Sequence, residues 1–442
     1  MRVACLDLSR EQLREDDVRE ADLIAFYVPM HTATRLAVQV LPLVRRLNPS
    51  AHLCFYGLYA PVNEDYLRSL GAQTILGGEF EEGLLRTALW LRARHSCSEI
   101  VQVKTENPDL KVSACAQSEP VISHARLRFQ VPDRTGMLPL SRYAHLEHPD
   151  GKPRIVGYTE ASRGCKHQCR HCPVVPVYQG RFRIIQPEIV LADIRQQVEM
   201  GAQHVTFGDP DFFNGIRHAL RIVTALHQEF PALTYDVTIK VEHLLKHAEY
   251  LQILRDTGCL FVTTAVESLD DRTLALLEKG HTRADFLRVV ELFRETGLVL
   301  SPTFVAFTPW TTVETYCELL EAIAGLDLVD QVASIQLGIR LLIPAGSRLL
   351  ELADVRKFIG AFDEAGLVYP WRHQDPRVDE LYEQVQSVIQ IGLKNRESRQ
   401  GIFSKVYQIA CQIAGRFATP LLELPLLVSR ASVPYLTEPW YC

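Results

Sequence analysis

The chain has 442 residues, 47% of them hydrophobic and 23% charged, with a formal net charge of −6. That length supports two or three domains with their own cores, and the mixed, slightly acidic charge excludes a general binder of nucleic acid or anionic membrane. Eleven cysteines, an odd number, do not read as a disulfide framework; they fit a reducing cytoplasm in which some thiols are committed to a cofactor.

The first seven residues hold no long apolar run, and no stretch reaches membrane-spanning length. A cytoplasmic chain without signal peptide or anchor is therefore expected. Residues 1–95 alternate strand-like and helix-like patterns. Residues 21–28 are a nearly continuous apolar run, as in a buried parallel strand. A helix is predicted over 34–47, with Leu36, Val40, Leu41 and Val44 at helical spacing and Asn48-Pro49 ending it. Strands follow at 52–57 and 73–76, and helices at 63–70 and 79–94. This repetition predicts a small doubly wound, Rossmann-like α/β domain.

From 96 to 153 turn clusters dominate, as at Asn107-Pro108-Asp109 and Pro132-Asp133. The segment reads as a linker with short strands, and Cys97 and Cys115 in it as structural or surface thiols. A strand over 154–160 then runs into a loop with three cysteines in eight residues, Cys165, Cys169 and Cys172. Soft thiolates so spaced can be aimed at one point; they satisfy three irons of a cubane cluster and leave the fourth open. Gly164, just before the first ligand, tolerates an unusual turn. Zinc with His167 or His171 as fourth ligand is the alternative, but structural zinc sites usually split their ligands into two separated pairs.

Five further strands, near 204–207, 234–240, 261–266, 298–307 and 334–342, alternate with helices. Six βα units make a partial (β/α)6 barrel over 154–350, which places chemistry at the carboxyl ends of its strands. Polar residues stand there: Gly208 and Asp209, Lys240 and Glu242, Glu267 and Ser268, and Arg340. Helix capping by Asp209 or Asp211, ion pairing of Lys240 with Glu242 and a structural salt bridge for Arg340 are the bland alternatives. Cys259 and Cys317 read as core thiols.

The Cys-x3-Cys-x2-Cys loop after a strand resembles the radical S-adenosylmethionine (SAM) superfamily. That resemblance implies an enzyme in which the open iron of a 4Fe–4S cluster chelates SAM and an electron from the cluster cleaves the sulfonium. It also implies a reductase, such as flavodoxin or ferredoxin, as electron donor, and a small-molecule substrate. By the same resemblance, Gly208-Asp209 stands where the family has a Gly-Gly-Glu-like methionyl contact. Glu267-Ser268, with Lys279-Gly280 downstream, resembles its Gly-x-Glu-Ser segment, although Ala265 replaces the glycine. Arg340 is placed for the SAM carboxylate.

The amino-terminal domain is similar to the cobalamin-binding domain of the family's cobalamin-dependent branch, with Gly77-Gly78-Glu79-Phe80-Glu81 as its glycine-acid stretch. The branch's Asp-x-His-x-x-Gly motif is absent, since the loop at 7–11 after the expected first strand has no histidine. Either cobalamin is held without a protein ligand or no corrinoid is held. His31 and Thr32 are further candidates there. From 351 the chain turns helical, over 378–395 and 402–417, and ends in Cys442 after Trp440-Tyr441. This tail resembles that of radical SAM proteins ending Cys-Sec-Ala-Glu-Pro or Cys-Cys-Ala-Glu-Pro, which implies truncation at a selenocysteine codon, a role for Cys442, and aminocarboxypropyl transfer as an option beside methyl transfer and hydrogen abstraction. The rival expectation is a non-catalytic zinc- or cluster-binding regulatory protein on a degenerate barrel.

Overall fold

Strand-forming runs near the amino terminus assemble into one parallel sheet. Its strands β1 (Leu23–Tyr27), β2 (His52–Tyr56), β3 (Thr74–Gly78) and β4 (Ile122–Ser123) lie in that spatial order. Register pairs Phe26 with Phe55 and Phe55 with Ile75, so their side chains stack into a core with Val28, Leu41, Val44 and Leu67. The computed structural model describes residues 2–96, 120–417 and 433–437. The expected strand before residue 7 does not form: Val3 is exposed, and the Asp7 side chain turns the chain by accepting from the Ser9 amide (2.9 Å) and hydroxyl (2.7 Å).

The connector is stitched into both sheets. Through β4 it joins β3, where Gly78 is obligatory: its φ is +66° and a Cβ would lie 2.1 Å from the Ser123 carbonyl oxygen. Through β5 (His145–Glu147) it pairs antiparallel with β6 (Arg154–Thr159). After a small hairpin, β7 (Ser162–Gly164) and β8 (Phe182–Ile184), come β9 (His204–Phe207), β10 (Thr234–Thr238), β11 (Cys259–Glu267) and β12 (Val299–Phe304). Strands β6, β9, β10, β11 and β12 are parallel and sequential in space, a curled partial barrel. Val205, Tyr235, Val237 and Val262 fill its core and are wholly buried, as expected for strands covered on both faces.

The sixth strand is reduced to one bridge, Phe307 to Arg340, because Ser334–Gly338 winds into a 3-10 turn. Gln336 explains the change: its side-chain oxygen accepts from the Phe304 amide at 2.9 Å, where a strand would have used backbone. The expected tail helices form as Pro376–Lys394 and Arg399–Ile413 and pack on the barrel through Val385, Ile389, Phe403 and Val406. β13 (Tyr435–Leu436) pairs with β5. No described helix is long and apolar enough to cross a membrane.

Candidate active site

The carboxyl ends of the two parallel sheets face a shared cavity of about 3190 Å³, lined by both sheet edges and by the three cysteines. The cysteine loop is fixed from every side. Asp209, buried at the end of β9, accepts from the Ala161 amide (2.8 Å) and the Ser162 hydroxyl (2.5 Å), which seats β7. Gly164 has φ +76°, and a Cβ there would lie 2.4 Å from the Tyr178 ring and 2.5 Å from the Arg181 carbonyl oxygen. The Asn214 side-chain oxygen accepts from the Lys166 amide at 3.2 Å and lies 4.0 Å from Cys165 Sγ. The Arg170 amide donates to the Leu277 carbonyl (2.9 Å), and Glu278 pairs with Arg170 (2.6 Å) and Arg348 (3.0 Å).

Charge is concentrated behind the loop. His171, between the second and third cysteines, places Nε2 3.0 Å from Glu267 Oε1, and Lys279 Nζ lies 3.2 Å from the same oxygen. Glu267 occupies a bulge at the end of β11 with φ +67°. Burial would raise its carboxyl, but Lys279 and His171 hold it down at about 2. Burial would likewise discharge Lys279; Glu267 and the sulfurs of Cys169 and Cys172 keep it protonated. A fixed cation thus faces two of the three thiols. Burial pushes the Cys165 thiol up to about 11, so at neutral pH this sulfur becomes a thiolate only when a metal replaces its proton.

A second group lies on the other side of the loop. Asp211 Oδ1 accepts from the Phe213 amide (3.1 Å), while His243 Nδ1 is 2.7 Å and His167 Nε2 3.4 Å from Oδ2. Burial would raise the Asp211 carboxyl, yet the two histidines bring it below the usual range. Lys240 Nζ meets His167 Nδ1 (3.1 Å) and Glu242 (3.3 Å).

On the opposite wall Tyr27, Tyr56 and Phe80 form an aromatic floor, with ring centroids 5.2 Å (Tyr27–Tyr56) and 5.0 Å (Tyr56–Phe80) apart. Arg163 crosses from β7 to this wall, stacks 5.4 Å from the Phe80 ring centroid, and pairs with Glu160 (3.0 Å) and Glu81. Glu79 lies 3.7 Å from the same guanidinium, and burial pushes its carboxyl up to about 7 despite Arg163. Both histidines among the described residues lining the cavity, His167 and His171, belong to the cysteine loop.

The residues singled out by sequence therefore separate. Cys165, Cys169 and Cys172 share one loop at the cavity, with Lys240, Asp209 and Glu267 behind it. Asp209 is engaged by β7, and Asp211 caps the Phe212–Gly215 turn. Lys240 and Glu242 hold each other. Gly208 lies under Tyr158, whose hydroxyl would be 1.8 Å from a Cβ there. Ser268 Oγ accepts from the Asp270 amide (3.1 Å). Arg340 lines the cavity but also pairs with Asp379 (2.9 Å), donates to the Trp371 carbonyl (2.8 Å) and stacks 3.7 Å from the Trp371 ring centroid. His31 contacts the Gly366 carbonyl (2.6 Å), while Thr32 lines the cavity. Cys442, Cys97 and Cys115 lie outside the described residues. Arg163, His243 and Asn214 were not singled out by sequence; each has a partner at least 30 residues away (Glu81, Asp211 and Lys166) that sequence spacing does not reveal.

Residues 159–324 match the sequence profile of the Radical SAM superfamily. Over 151 residues the chain is 23% identical to a hopanoid C-3 methylase of Methylococcus capsulatus, covering 34% of this chain and 29% of that protein. Over 278 residues it is 22% identical to a tRNA-2-methylthio-N(6)-dimethylallyladenosine synthase of Moorella thermoacetica, covering 51% and 59%. The chain thus spans under a third of the hopanoid methylase and about three fifths of the tRNA enzyme. Among solved structures, it resembles the cobalamin-dependent SAM radical enzyme OxsB with aqua-cobalamin bound (TM-score 0.62, 14% identity, 86% of this chain and 60% of that one). It also resembles the radical SAM methyltransferase TsrM from Kitasatospora setae, with cobalamin and a [4Fe-4S] cluster bound (TM-score 0.53, 19% identity, 71% and 64%).

Proposed function

We propose that this chain, which carries a radical SAM domain over residues 159–324, is a methyltransferase that uses SAM, a 4Fe–4S cluster and a corrinoid on a small-molecule substrate. The observation that carries this is the facing of the cysteine loop and the aromatic floor across one cavity of about 3190 Å³. Ligand pockets commonly measure about 300–1,000 Å³, so there is room for SAM, substrate and a second large ligand.

The donor set fits the cluster: three soft thiols on one fixed loop, backed by the Lys279 ammonium, which offsets the negative charge of a thiolate-ligated cluster. Tyr27, Tyr56 and Phe80 on the opposite wall would hold a corrinoid. When bound, the cluster supplies one electron to the sulfonium of SAM and the corrinoid supplies a methyl carrier. The protein's part is to hold and exclude. Asp209, Gly164 and Asn214 fix the loop, Glu267 and His171 orient the cation behind it, and Arg163 ties the cysteine hairpin to Glu81 on the opposite wall. The acidic net charge favours a small molecule over tRNA, since a nucleic-acid substrate calls for a basic footprint. A flavodoxin- or ferredoxin-type reductase would supply the electrons.

The test is anaerobic reconstitution with iron, sulfide and hydroxocobalamin, followed by reduction with SAM and analysis of its fragments. Expected are corrinoid retention on gel filtration and formation of S-adenosylhomocysteine and 5′-deoxyadenosine, all fragments being lost in Cys169→Ala. Methylthioadenosine would mean cleavage of the aminocarboxypropyl arm instead, and no SAM turnover by protein with an intact cluster would overturn the proposal.

A further inference from the structure

We propose that the cysteine loop also forms a mononuclear divalent-metal site, suited to Zn²⁺, from Cys165, His167 and Asp211, and that this site and the iron–sulfur cluster exclude each other by sharing Cys165. One donor atom from each of the three residues lies within 4.8 Å of the others. Asp211 is 1% exposed, with Oδ1 occupied by the Phe213 amide. Its Oδ2, His167 Nε2 and His243 Nδ1 are all buried without a hydrogen-bond partner, although Oδ2 lies 3.4 Å from the first nitrogen and 2.7 Å from the second. Polar atoms packed so closely without hydrogen-bond geometry are costly unless something else satisfies them. A cation does so.

The spacing suits zinc. Nitrogen and oxygen ligands about 2.05 Å from a tetrahedral ion sit about 3.3 Å apart, which is close to the 3.4 Å between His167 Nε2 and Asp211 Oδ2. One sulfur, one nitrogen and one oxygen make a donor set zinc accepts, with the fourth position opening to the cavity that Cys165, His167 and Asp211 line. Outer partners are present too. His243 is placed to orient the Asp211 carboxylate, and Glu242 Oε2, 3.6 Å from His167 Nδ1, to accept from that ring N–H once Lys240, which touches both, releases the ring. Binding releases the Cys165 thiol proton, and no electron moves.

The site itself is independent of the proposed methyl transfer; only the exclusivity rests on Cys165 being a cluster ligand. The test uses the full-length chain, stripped of iron with a chelator under reducing conditions and titrated with Co²⁺ as the spectroscopic stand-in for Zn²⁺. Expected is one Co²⁺ per chain with tetrahedral visible bands and a sulfur-to-cobalt charge-transfer band, unchanged in Cys169→Ala and Cys172→Ala. The sulfur band disappears in Cys165→Ala. Affinity falls about 10-fold in His243→Gln, within the range of outer-partner losses elsewhere, and by more than that in His167→Gln and Asp211→Asn, which remove direct ligands. Near-UV circular dichroism, and cluster assembly in His167→Gln, check that the fold survives. Zn²⁺ added first blocks cluster assembly until a chelator removes it. Loss of Co²⁺ in Cys169→Ala or Cys172→Ala with none in His167→Gln would place the ion on three sulfurs and overturn the proposal, as would absence of binding.

Discussion

Lys279→Met removes the cation behind the cysteine loop, and its cost can be worked from the geometry. Lys279 is 3% and Glu267 7% exposed, 3.2 Å apart, so solvent screens neither. Removing one partner of a buried ion pair costs about 3–5 kcal/mol, because the other charge stays buried and uncompensated. His171 remains 3.0 Å from the same Glu267 oxygen, which places the expected loss at the lower end, about 3 kcal/mol. Lys279→Met/Glu267→Gln should recover most of it, since the stranded charge is gone. The pH dependence has a definite sign. Glu267 is held from 4.5 down to about 2 in the folded protein, so its contribution is present above pH 4.5 and is lost as pH falls through about 2. The difference between wild type and Lys279→Met should therefore be full at pH 7 and shrink in acid. Urea unfolding of the cluster-free chain at pH 7 and pH 4, followed by tryptophan fluorescence, measures it. A loss under 1 kcal/mol, or a double variant less stable than Lys279→Met alone, would refute the reasoning.

Gly164→Ala forces a Cβ against Tyr178 and the Arg181 carbonyl at positive φ; expected are a stability loss of about 2 kcal/mol and markedly reduced iron incorporation, read by metal analysis. Glu79 is raised from 4.5 to about 7 by burial, so its contribution is present below pH 4.5 and lost as pH rises through 7, by about 3 kcal/mol in all. Glu79→Gln should flatten the decline of the urea midpoint between pH 5 and pH 8. Arg163→Met leaves Glu79, Glu81 and Glu160 without their shared cation; the variant should lose more stability at pH 8 than at pH 5, where Glu79 is protonated.

Legibility in the sequence followed the range of the forces. The parallel strands were readable because strands covered on both faces demand largely apolar runs, as at Leu53-Cys54-Phe55. The cysteine loop was readable because its three thiols fall within eight residues of the chain. For Arg340 the sequence offered a SAM-carboxylate contact or a structural salt bridge, and could not name the partners Asp379 and Trp371, which lie more than 30 residues away. The sixth strand failed because Gln336 substitutes a side chain for a backbone ladder, which apolar patterning does not register. Glu267 was singled out, but its partners Lys279 and His171 meet it only through the bulge that ends β11.

The central claim is that Cys165, Cys169 and Cys172 hold a cluster whose fourth iron binds SAM. Electron paramagnetic resonance of the reconstituted, dithionite-reduced protein with and without SAM tests it most directly. The account predicts about four irons per chain and a spectrum whose g-values shift when SAM is added. A full-strength cluster signal indifferent to SAM would contradict it.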